Sequence, residues 1–382
     1  MVLILNNEEL ESVLDMGSCL DALYQGLRAF GLGDAVRRPR IDLFTPTSRP
    51  QEFACFSSME GVVRGGYYAI RIKPDIVSWP VVDGLRRRIT YCYEPGYYGG
   101  MILVFRAENA ELVAIMNDGY VQHMRVGATA ALGAKHLARP DAKVVGILGS
   151  GGMARSFATG FALVRNLERI KVYSPNREHL LAYCEEMSRK LGIEVIPERS
   201  AEAAIRRSDI VASCTNALEP VLKGEWLEPG MYVALVSNRE LEPEVLRRVT
   251  IMGYLVFAEE PLKLAGFGDH RFEIRAGVMS YVAGQTHETE GIPKTGQKPM
   301  DIPNARWVPC IEWETEKPRG RESPKDITLL AEVASTFPSG LASSSIQGVQ
   351  FASIGGRAYE LASDRGLGMR VDLRHFLQNI PT

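Results

Sequence analysis

A glycine-rich loop after an apolar run constrains this chain more than any other feature of its sequence. The run Val144–Leu148 predicts a strand buried on both faces, and the loop follows it directly. Small residues at three loop positions allow a tight turn, close approach of a pyrophosphate and contact between helix and strand. The next helix turns free amides and the positive end of its dipole toward that pyrophosphate. We therefore predict a dinucleotide site at the six loop residues, Gly149, Ser150, Gly151, Gly152, Met153 and Ala154. A tight turn without a ligand is the alternative.

The chain around the loop alternates between strand and helix. From Lys143 to about Val249, short apolar runs alternate with segments of helical period. This alternation predicts an α/β fold with a parallel sheet and helices on both faces, which is the Rossmann type. A helix from about Tyr120 to Ala138 connects it to the preceding segment.

The segment before that helix has a different pattern. Short alternating runs between Phe53 and Met116 predict a first, mainly antiparallel sheet. Apolar residues at helical spacing from Asn6 to Leu32 predict one or two helices, with a break near Gly17. Between residues 284 and 324, Pro, Gly, Lys and Glu are frequent and no period persists, so we predict an irregular lid or insertion there.

Charge and cysteine usage exclude several functions. The 44 basic and 46 acidic residues nearly cancel, so we expect neither nucleic acid nor an anionic membrane as a partner, but a small molecule. The six cysteines include no C-x-x-C pair, which argues against a metal site and favours reduced, buried thiols. No leader or stretch of eighteen apolar residues is present, so we expect a cytoplasmic protein.

The end of the second parallel strand indicates which dinucleotide is bound. An acidic residue there usually holds the adenosine ribose of NAD, but this strand continues as Tyr173-Ser174-Pro175-Asn176-Arg177. Ser174, Asn176 and Arg177 can instead donate hydrogen bonds to a 2′-phosphate, and Arg177 adds a positive charge. NADPH is therefore the expected cofactor, with NADH possible. A solvated helix start is the alternative role for Arg177.

Three motifs in a fixed order resemble a known family. Asp118 and Arg125-Val-Gly-Ala-Thr-Ala-Ala come first, Gly149-Ser-Gly-Gly-Met-Ala follows, and Glu225-Trp-Leu-Glu-Pro-Gly is last. In this order the chain resembles the ornithine cyclodeaminase and mu-crystallin family. The resemblance implies a homodimer in which residues 1–125 and 335–382 form an α+β substrate-binding and dimerisation domain. Residues 126–334 would form the Rossmann domain, and the 284–324 segment would be unlike the family pattern.

The resemblance also assigns roles to residues. Arg40 and Arg125 match arginines that hold the substrate carboxylate, although Arg40 also lies in a basic run typical of a surface. The family's catalytic lysine aligns with Arg71, and Lys73 lies on the same strand face. We expect Lys73 to handle the proton and Arg71 to act electrostatically, unless both are simply solvated. Thr215 and Ser339 match positions that line the cofactor.

One departure from the family narrows the expected reaction. After Tyr232–Val236 the chain reads Ser237-Asn238-Arg239-Glu240-Leu241, which lacks the aspartate that cyclodeaminases have there. Ser237 remains available to the cofactor. Losing that carboxylate argues against ring-closing deamination and favours NADPH-dependent reduction of a small imine or ketimine carboxylate. An ornithine cyclodeaminase or alanine-dehydrogenase-like deaminating enzyme, and a non-catalytic NADPH-dependent binding protein of the mu-crystallin type, are the alternatives.

Overall fold

The computed structural model describes residues 1–82, 85–86, 88–257, 271–275, 278–283, 285–292, 304–310, 320–331, 335–336, 342–344, 346–378 and 380. Ser339, predicted to line the cofactor, and most of the predicted 284–324 lid lie outside the described residues.

The described residues form 23 strands and nine α helices. The strands are β1 Val2–Leu5, β2 Ala35–Pro46, β3 Phe53–Val63, β4 Tyr67–Ser78, β5 Val81–Val82, β6 Leu85–Arg86, β7 Ile89–Tyr91, β8 Met101–Arg106, β9 Leu112–Asn117, β10 Val144–Leu148, β11 Arg169–Tyr173, β12 Glu194–Pro197, β13 Ile210–Ser213, β14 Tyr232–Leu235, β15 Ile251–Tyr254, β16 Val256–Phe257, β17 Arg271–Arg275, β18 Val278–Val282, β19 Arg306–Pro309, β20 Thr328–Ala331, β21 Ser335–Thr336, β22 Ala342–Ser344 and β23 Met369–Val371. The helices are α1 Asn7–Val13, α2 Met16–Gly31, α3 Gly119–Leu137, α4 Gly152–Val164, α5 Arg177–Leu191, α6 Ala201–Ile205, α7 Pro243–Arg248, α8 Thr286–Thr289 and α9 Gln347–Asp364.

The two N-terminal helices are separated by their caps. Asn6 begins α1 with a capping box, since its side chain accepts from the amide of Glu9 and the Glu9 carboxylate accepts from the amide of Asn6. Asp15 begins α2 by accepting from the amide of Ser18 at 2.7 Å. The sequence predicted one or two helices, and two are present. The break between them, at Leu14 and Asp15, confirms the predicted break near Gly17.

The first sheet contains ten strands. Nine lie in the order β17-β18-β2-β3-β4-β8-β9-β1-β23, and β7 pairs with β4 beside them. Most neighbours are antiparallel, which confirms the predicted first sheet, while β18–β2 and β1–β9 are parallel. The strands β17 and β18 fall within the range predicted for the Rossmann domain but pair with this sheet through β2. The predicted domain boundaries stay a prediction.

The helix α9 packs closely on the first sheet. A Cβ atom on Gly348 would lie 1.8 Å from the carbonyl oxygen of Glu60, and one on Gly61 would lie 2.3 Å from the backbone of Gly348. Side chains at these two positions would force the helix and sheet apart. The close approach lets the fully buried Phe351 contact Arg71 of β4.

The second sheet has eight parallel strands in the order β12-β11-β10-β13-β14-β20-β15-β19. The predicted strand Val144–Leu148 has the predicted bounds, and the Rossmann-type fold is confirmed. The prediction of an irregular segment over 284–324 was wrong at Arg306–Pro309, which forms β19. A strand of four residues is too short to show a hydrophobic period in the sequence. Its pairing with β15 and the burial of Val308 stabilise it.

Candidate functional site

The carboxyl ends of four adjacent parallel strands form one edge of the second sheet. Leu148 at the end of β10 lies in register with Tyr173 of β11 and with Ser213 of β13. Ser213 in turn pairs with Leu235 of β14. The predicted cofactor residues that follow these strands therefore lie along this edge, where open α/β sheets bind their ligands. These residues are the glycine loop, Ser174, Asn176, Arg177, Thr215 and Ser237.

The glycine loop fits a pyrophosphate. Gly149 has φ +107°, and a Cβ atom there would lie 2.5 Å from the carbonyl oxygen of Cys214, so a side chain is excluded. Gly151 is the N-cap of α4, makes no side-chain cap, and has no atom within 4 Å of a built Cβ. The first amides of α4 therefore face space that an anion can enter.

The helices α3 and α4 pack side by side in the same direction. A Cβ atom on Gly127 would lie 2.7 Å from Ser156, and one on Gly152 would lie 2.6 Å from the ring of His123. The first turn of α4 therefore lies beside the second turn of α3, and the amino-terminal ends of both helices, which carry the positive ends of their dipoles, are on the same side. Through this contact His123 lies against the glycine loop, and burial lowers its pKa. Arg125, two residues further along α3, lies near the same end.

A buried pair of arginines lies where α3, α9 and the first sheet meet. The guanidinium carbon of Arg71 lies 5.2 Å from the ring centre of Phe351, and that of Arg125 lies 5.5 Å from it. Arg71 donates to Asp118 at 2.7 Å, and Arg125 donates to Gln350 at 3.1 Å. Burial lowers the pKa of Arg71 to about 10, with a further contribution from the charge of Arg125 and opposition from Asp118. The structure brings these two predicted arginines together on the ring of Phe351.

The other two predicted cations lie on β2 and β4, the strands on either side of β3. Arg40 donates from Nε to Asp42 at 2.7 Å and from Nη2 to Ser57 at 2.9 Å. Lys73 donates to Asp75 at 2.6 Å. The register pairs Asp42 with Ser57 and Ser57 with Lys73, so all of these groups share one face.

The charge of Arg40 on β2 also acts on Arg71 of the buried arginine pair. Burial acts to lower the pKa of Arg40, but the charge of Asp42, the hydrogen bond to Asp42 and smaller contributions from Cys55 and Asp75 together outweigh it, and the net shift is upward. The charge of Arg40 also contributes to the lowered pKa of Arg71. All four predicted cations are therefore near one another.

Sequence reasoning missed the carboxylates of this cluster. Asp42 and Asp75 are buried, and each lies two residues after its cation on the same strand. That i, i+2 spacing puts a cation and a carboxylate on one strand face and is the signal that could have found them. Gln350 had no such signal, because its contact with Arg125 joins residues 225 positions apart.

The residues after β11 lie beside the start of the glycine loop, because the amide of Gly149 donates to the carbonyl oxygen of Tyr173. The Asn176 side chain caps α5 by accepting from the amide of His179 at 2.9 Å. Its amide nitrogen is the group that can donate to an anion. Arg177 is exposed in the first turn of α5, and Ser174 is partly buried beside it.

A buried carboxylate joins the loops that follow β13 and β14. Glu240 is fully buried and accepts from the amide and hydroxyl of Thr215 and from the amide of Ser237. Burial raises its pKa, and these hydrogen bonds oppose that rise. The sequence pointed to Thr215 and Ser237 but not to the acid that holds them.

Two classes of site are not found in the part of the chain that the structure describes. Within those residues, no three His, Cys, Asp or Glu side chains gather in a way that could hold a metal ion. No described helix has the length and apolar character needed to cross a membrane.

Comparisons with known proteins agree with this architecture. A Rhizobium meliloti protein whose name describes a dehydrogenase is 30% identical over 218 residues, which cover 56% of this chain and 62% of that protein. Delta(1)-pyrroline-2-carboxylate reductase of Bacillus cereus is 26% identical over 275 residues, which cover 72% of this chain and 74% of that protein.

A solved structure has the same fold over nearly the whole chain. Thermococcus litoralis Delta(1)-pyrroline-2-carboxylate reductase, in complex with NADH and L-proline, superposes with a TM-score of 0.69 at 24% identity. The superposition covers 97% of this chain and 100% of that one. The model of the ornithine cyclodeaminase/mu-crystallin family matches residues 99–266, which include the glycine loop and the motif at Arg125. The predicted resemblance to the ornithine cyclodeaminase/mu-crystallin family is confirmed over these residues.

Proposed function

We propose that the protein is an NADPH-dependent reductase of a small imine or ketimine carboxylate. One observation carries the proposal: the open first turn of α4 lies beside the second turn of α3, which bears His123 and Arg125. A dinucleotide on the glycine loop and an anion near Arg125 would therefore be neighbours. The name of the Bacillus cereus relative supports a cyclic imino acid as the substrate class.

The residues of this chain would divide the work between anchoring and proton transfer. Gly149 would shape the turn, because its amide donates to the carbonyl oxygen of Tyr173, and amides between Ser150 and Ala154 would hold the pyrophosphate. When bound, the reduced dinucleotide supplies a hydride for the imine carbon. Arg125 and Arg40 would fix the substrate carboxylate, because a guanidinium binds a carboxylate with two parallel hydrogen bonds.

Proton transfer to the imine nitrogen is assigned to Lys73. Its ammonium is partly exposed and bound to the buried Asp75, whereas Arg71 is enclosed by Asp118 and Phe351. A lysine can release a proton near neutrality far more readily than an arginine. Arg71 would therefore contribute positive potential to the site, in agreement with its position beside Arg125.

The surroundings of Glu240 argue against ring-closing deamination. Cyclodeaminases of this family have an aspartate just before this position, and Glu240 is the nearest carboxylate in the segment. It is fully buried and engaged by Thr215 and Ser237, so it is poorly placed to manage the protons of an amine. Hydride delivery to an imine does not require that carboxylate.

A panel of imino acids tests the proposal. Purified protein would be mixed with NADPH and either Δ1-pyrroline-2-carboxylate, its six-membered homologue or an open-chain imine formed from a 2-oxo acid and methylamine. We expect NADPH oxidation with at least one of them. Failure with all three, together with ammonia release from ornithine or alanine and oxidised cofactor, would favour the deaminating alternative. Tight NADPH binding with no turnover would favour the ligand-binding alternative.

Cofactor preference gives a testable prediction at Arg177. Replacing Arg177 with alanine removes the charge proposed to bind the 2′-phosphate, so we expect kcat/KM for NADPH to fall roughly 10- to 100-fold. The value for NADH, which lacks that phosphate, should stay within about twofold. Arg189→Ala, at an exposed arginine on the same helix, is the matched control. Equal losses with both cofactors would contradict the assignment.

An exposed apolar surface on the first sheet supports the proposed homodimer. Leu43 of β2 is 50% exposed, Phe56 of β3 is 47% exposed, and the register pairs the two. Met101 of β8 is 41% exposed and pairs with Ile72 of β4, on the same side of the sheet. Contiguous exposed apolar side chains of this kind mark association surfaces, and a twofold axis would bury the same surface on both copies.

The surface gives a second prediction. Phe56→Asp would place a charge in the centre of that interface, so light scattering should show a shift from dimer to monomer at micromolar protein. Leu163→Asp changes an equally exposed apolar residue on α4 and should leave the dimer intact. A wild-type protein that is monomeric, or a dimer that Phe56→Asp does not weaken, would contradict the proposed surface.

A further inference from the structure

Glu240 organises two loops that the dinucleotide would cross. Its side chain accepts from the amide of Thr215 at 2.7 Å and from the amide of Ser237 at 3.0 Å, and these residues follow β13 and β14. Its backbone carbonyl accepts from the amides of Val221 and Leu222, both at 2.9 Å. One residue therefore fixes the spacing of both loops at the carboxyl edge of the sheet.

Glu240 also fixes the direction of the Thr215 hydroxyl. That hydroxyl has one hydrogen, which it donates to Glu240 at 2.5 Å. Its oxygen accepts from the amide of Ala217 at 3.1 Å. A hydroxyl oxygen can accept two hydrogen bonds, so the remaining capacity of Thr215 is that of an acceptor. A ligand group that contacts it must be a donor.

The strand order identifies which half of the dinucleotide lies there. The glycine loop follows β10, and the strand order reverses on either side of β10, with β11 on one side and β13 and β14 on the other. A dinucleotide bound across this point places its adenosine half toward β11 and its nicotinamide half toward β13. The donors available on that half are the carboxamide nitrogen and the ribose hydroxyls.

We propose that Glu240 is a positioning residue for the nicotinamide half of the cofactor, turning Thr215 into an acceptor for a carboxamide or ribose donor. The inference rests on the proposed dinucleotide site. It assigns Glu240 no contact with the substrate and no proton transfer. Its effect should therefore be seen in cofactor affinity, and only for ligands that carry nicotinamide riboside.

Calorimetric titration with two ligands tests the inference. One ligand is NADPH. The other is the fragment adenosine 2′-phosphate 5′-diphosphate, which keeps the 2′-phosphate and the diphosphate of NADPH but lacks the nicotinamide riboside. Two variants are compared. In Glu240→Gln, the new amide nitrogen is itself a hydrogen-bond donor, and it would face one of the N–H or O–H groups that now donate to Glu240. Thr215→Val removes the hydroxyl and keeps the shape of the side chain. We expect the Kd for NADPH to rise roughly tenfold in each, with the fragment's Kd unchanged.

Two controls separate positioning from folding. Thr215→Ser keeps the hydroxyl and should restore the wild-type Kd for NADPH. Ser208→Ala removes a buried hydroxyl that donates to Ala204, before the start of β13, and should change neither Kd. If Glu240→Gln unfolds, the Kd values of Thr215→Val for the two ligands still test the inference.

Equal weakening of NADPH and the fragment, or no change in either, would overturn the inference. Failure of wild-type protein to bind NADPH at all would instead refute the proposed function.

Discussion

Gly151→Asp is expected to raise the Kd for NADPH roughly 100-fold or more, while the protein folds normally. The position is the N-cap of α4, has extended backbone, and leaves open space for a side chain. Aspartate is a favoured N-cap residue, so the melting temperature should stay the same or rise slightly. The same carboxylate would occupy the amides that the pyrophosphate needs and would repel its charge. Fluorescence titration and thermal melting measure the two effects.

Gly151→Ala separates the charge from the added volume. Its methyl group also enters open space, so we expect a smaller loss of NADPH affinity than with aspartate. A Gly151→Asp protein that melts like wild type and still binds NADPH normally would show that the amides of α4 do not hold the cofactor.

The second large effect is expected at Lys73. Lys73→Arg keeps the positive charge beside Asp75, so the buried carboxylate retains a partner and the fold should be preserved. A guanidinium cannot release a proton near neutral pH, so kcat for imine reduction should fall roughly 100-fold or more. The Kd for NADPH should not change, because Lys73 is not among the residues proposed to hold the cofactor. Steady-state kinetics and cofactor titration provide both numbers.

An electrostatic role for Lys73 predicts a different result. If charge alone mattered, Lys73→Arg would keep most of its kcat, whereas Lys73→Gln would lose it. That result would indicate that a group other than Lys73 transfers the proton. His123, which lies against Gly152, would be the next candidate to replace.

The Rossmann-type domain could be predicted because its signals are local. A buried strand, three small residues and a helix lie within about twenty positions, and Gly149 has the positive φ that such a turn requires. The antiparallel sheet was equally accessible, since alternation in Phe53–Val63 reports its buried face directly. Short strands were harder to predict. The strand Arg306–Pro309 owes its conformation to its neighbours in the sheet and not to its own pattern.

The arrangement of the candidate site could be predicted only in part. The cations were identifiable from the sequence and the family resemblance, but the groups that hold them come from distant segments. Phe351 meets Arg71 and Arg125 only after α9 packs on the first sheet, across the close contact at Gly348. Glu240 gave no periodic or motif signal, because its importance comes from burial between two loops. Side-chain contacts that form only through tertiary packing cannot be predicted from the spacing of residues along the chain.

Calorimetric titration of the wild-type chain with NADPH and with NADH asks whether the first turn of α4 holds a dinucleotide. We expect saturable binding at one site per chain, with tighter binding of NADPH than of NADH. No saturable binding of either nucleotide would contradict it, because every proposed role depends on a dinucleotide held at the first turn of α4.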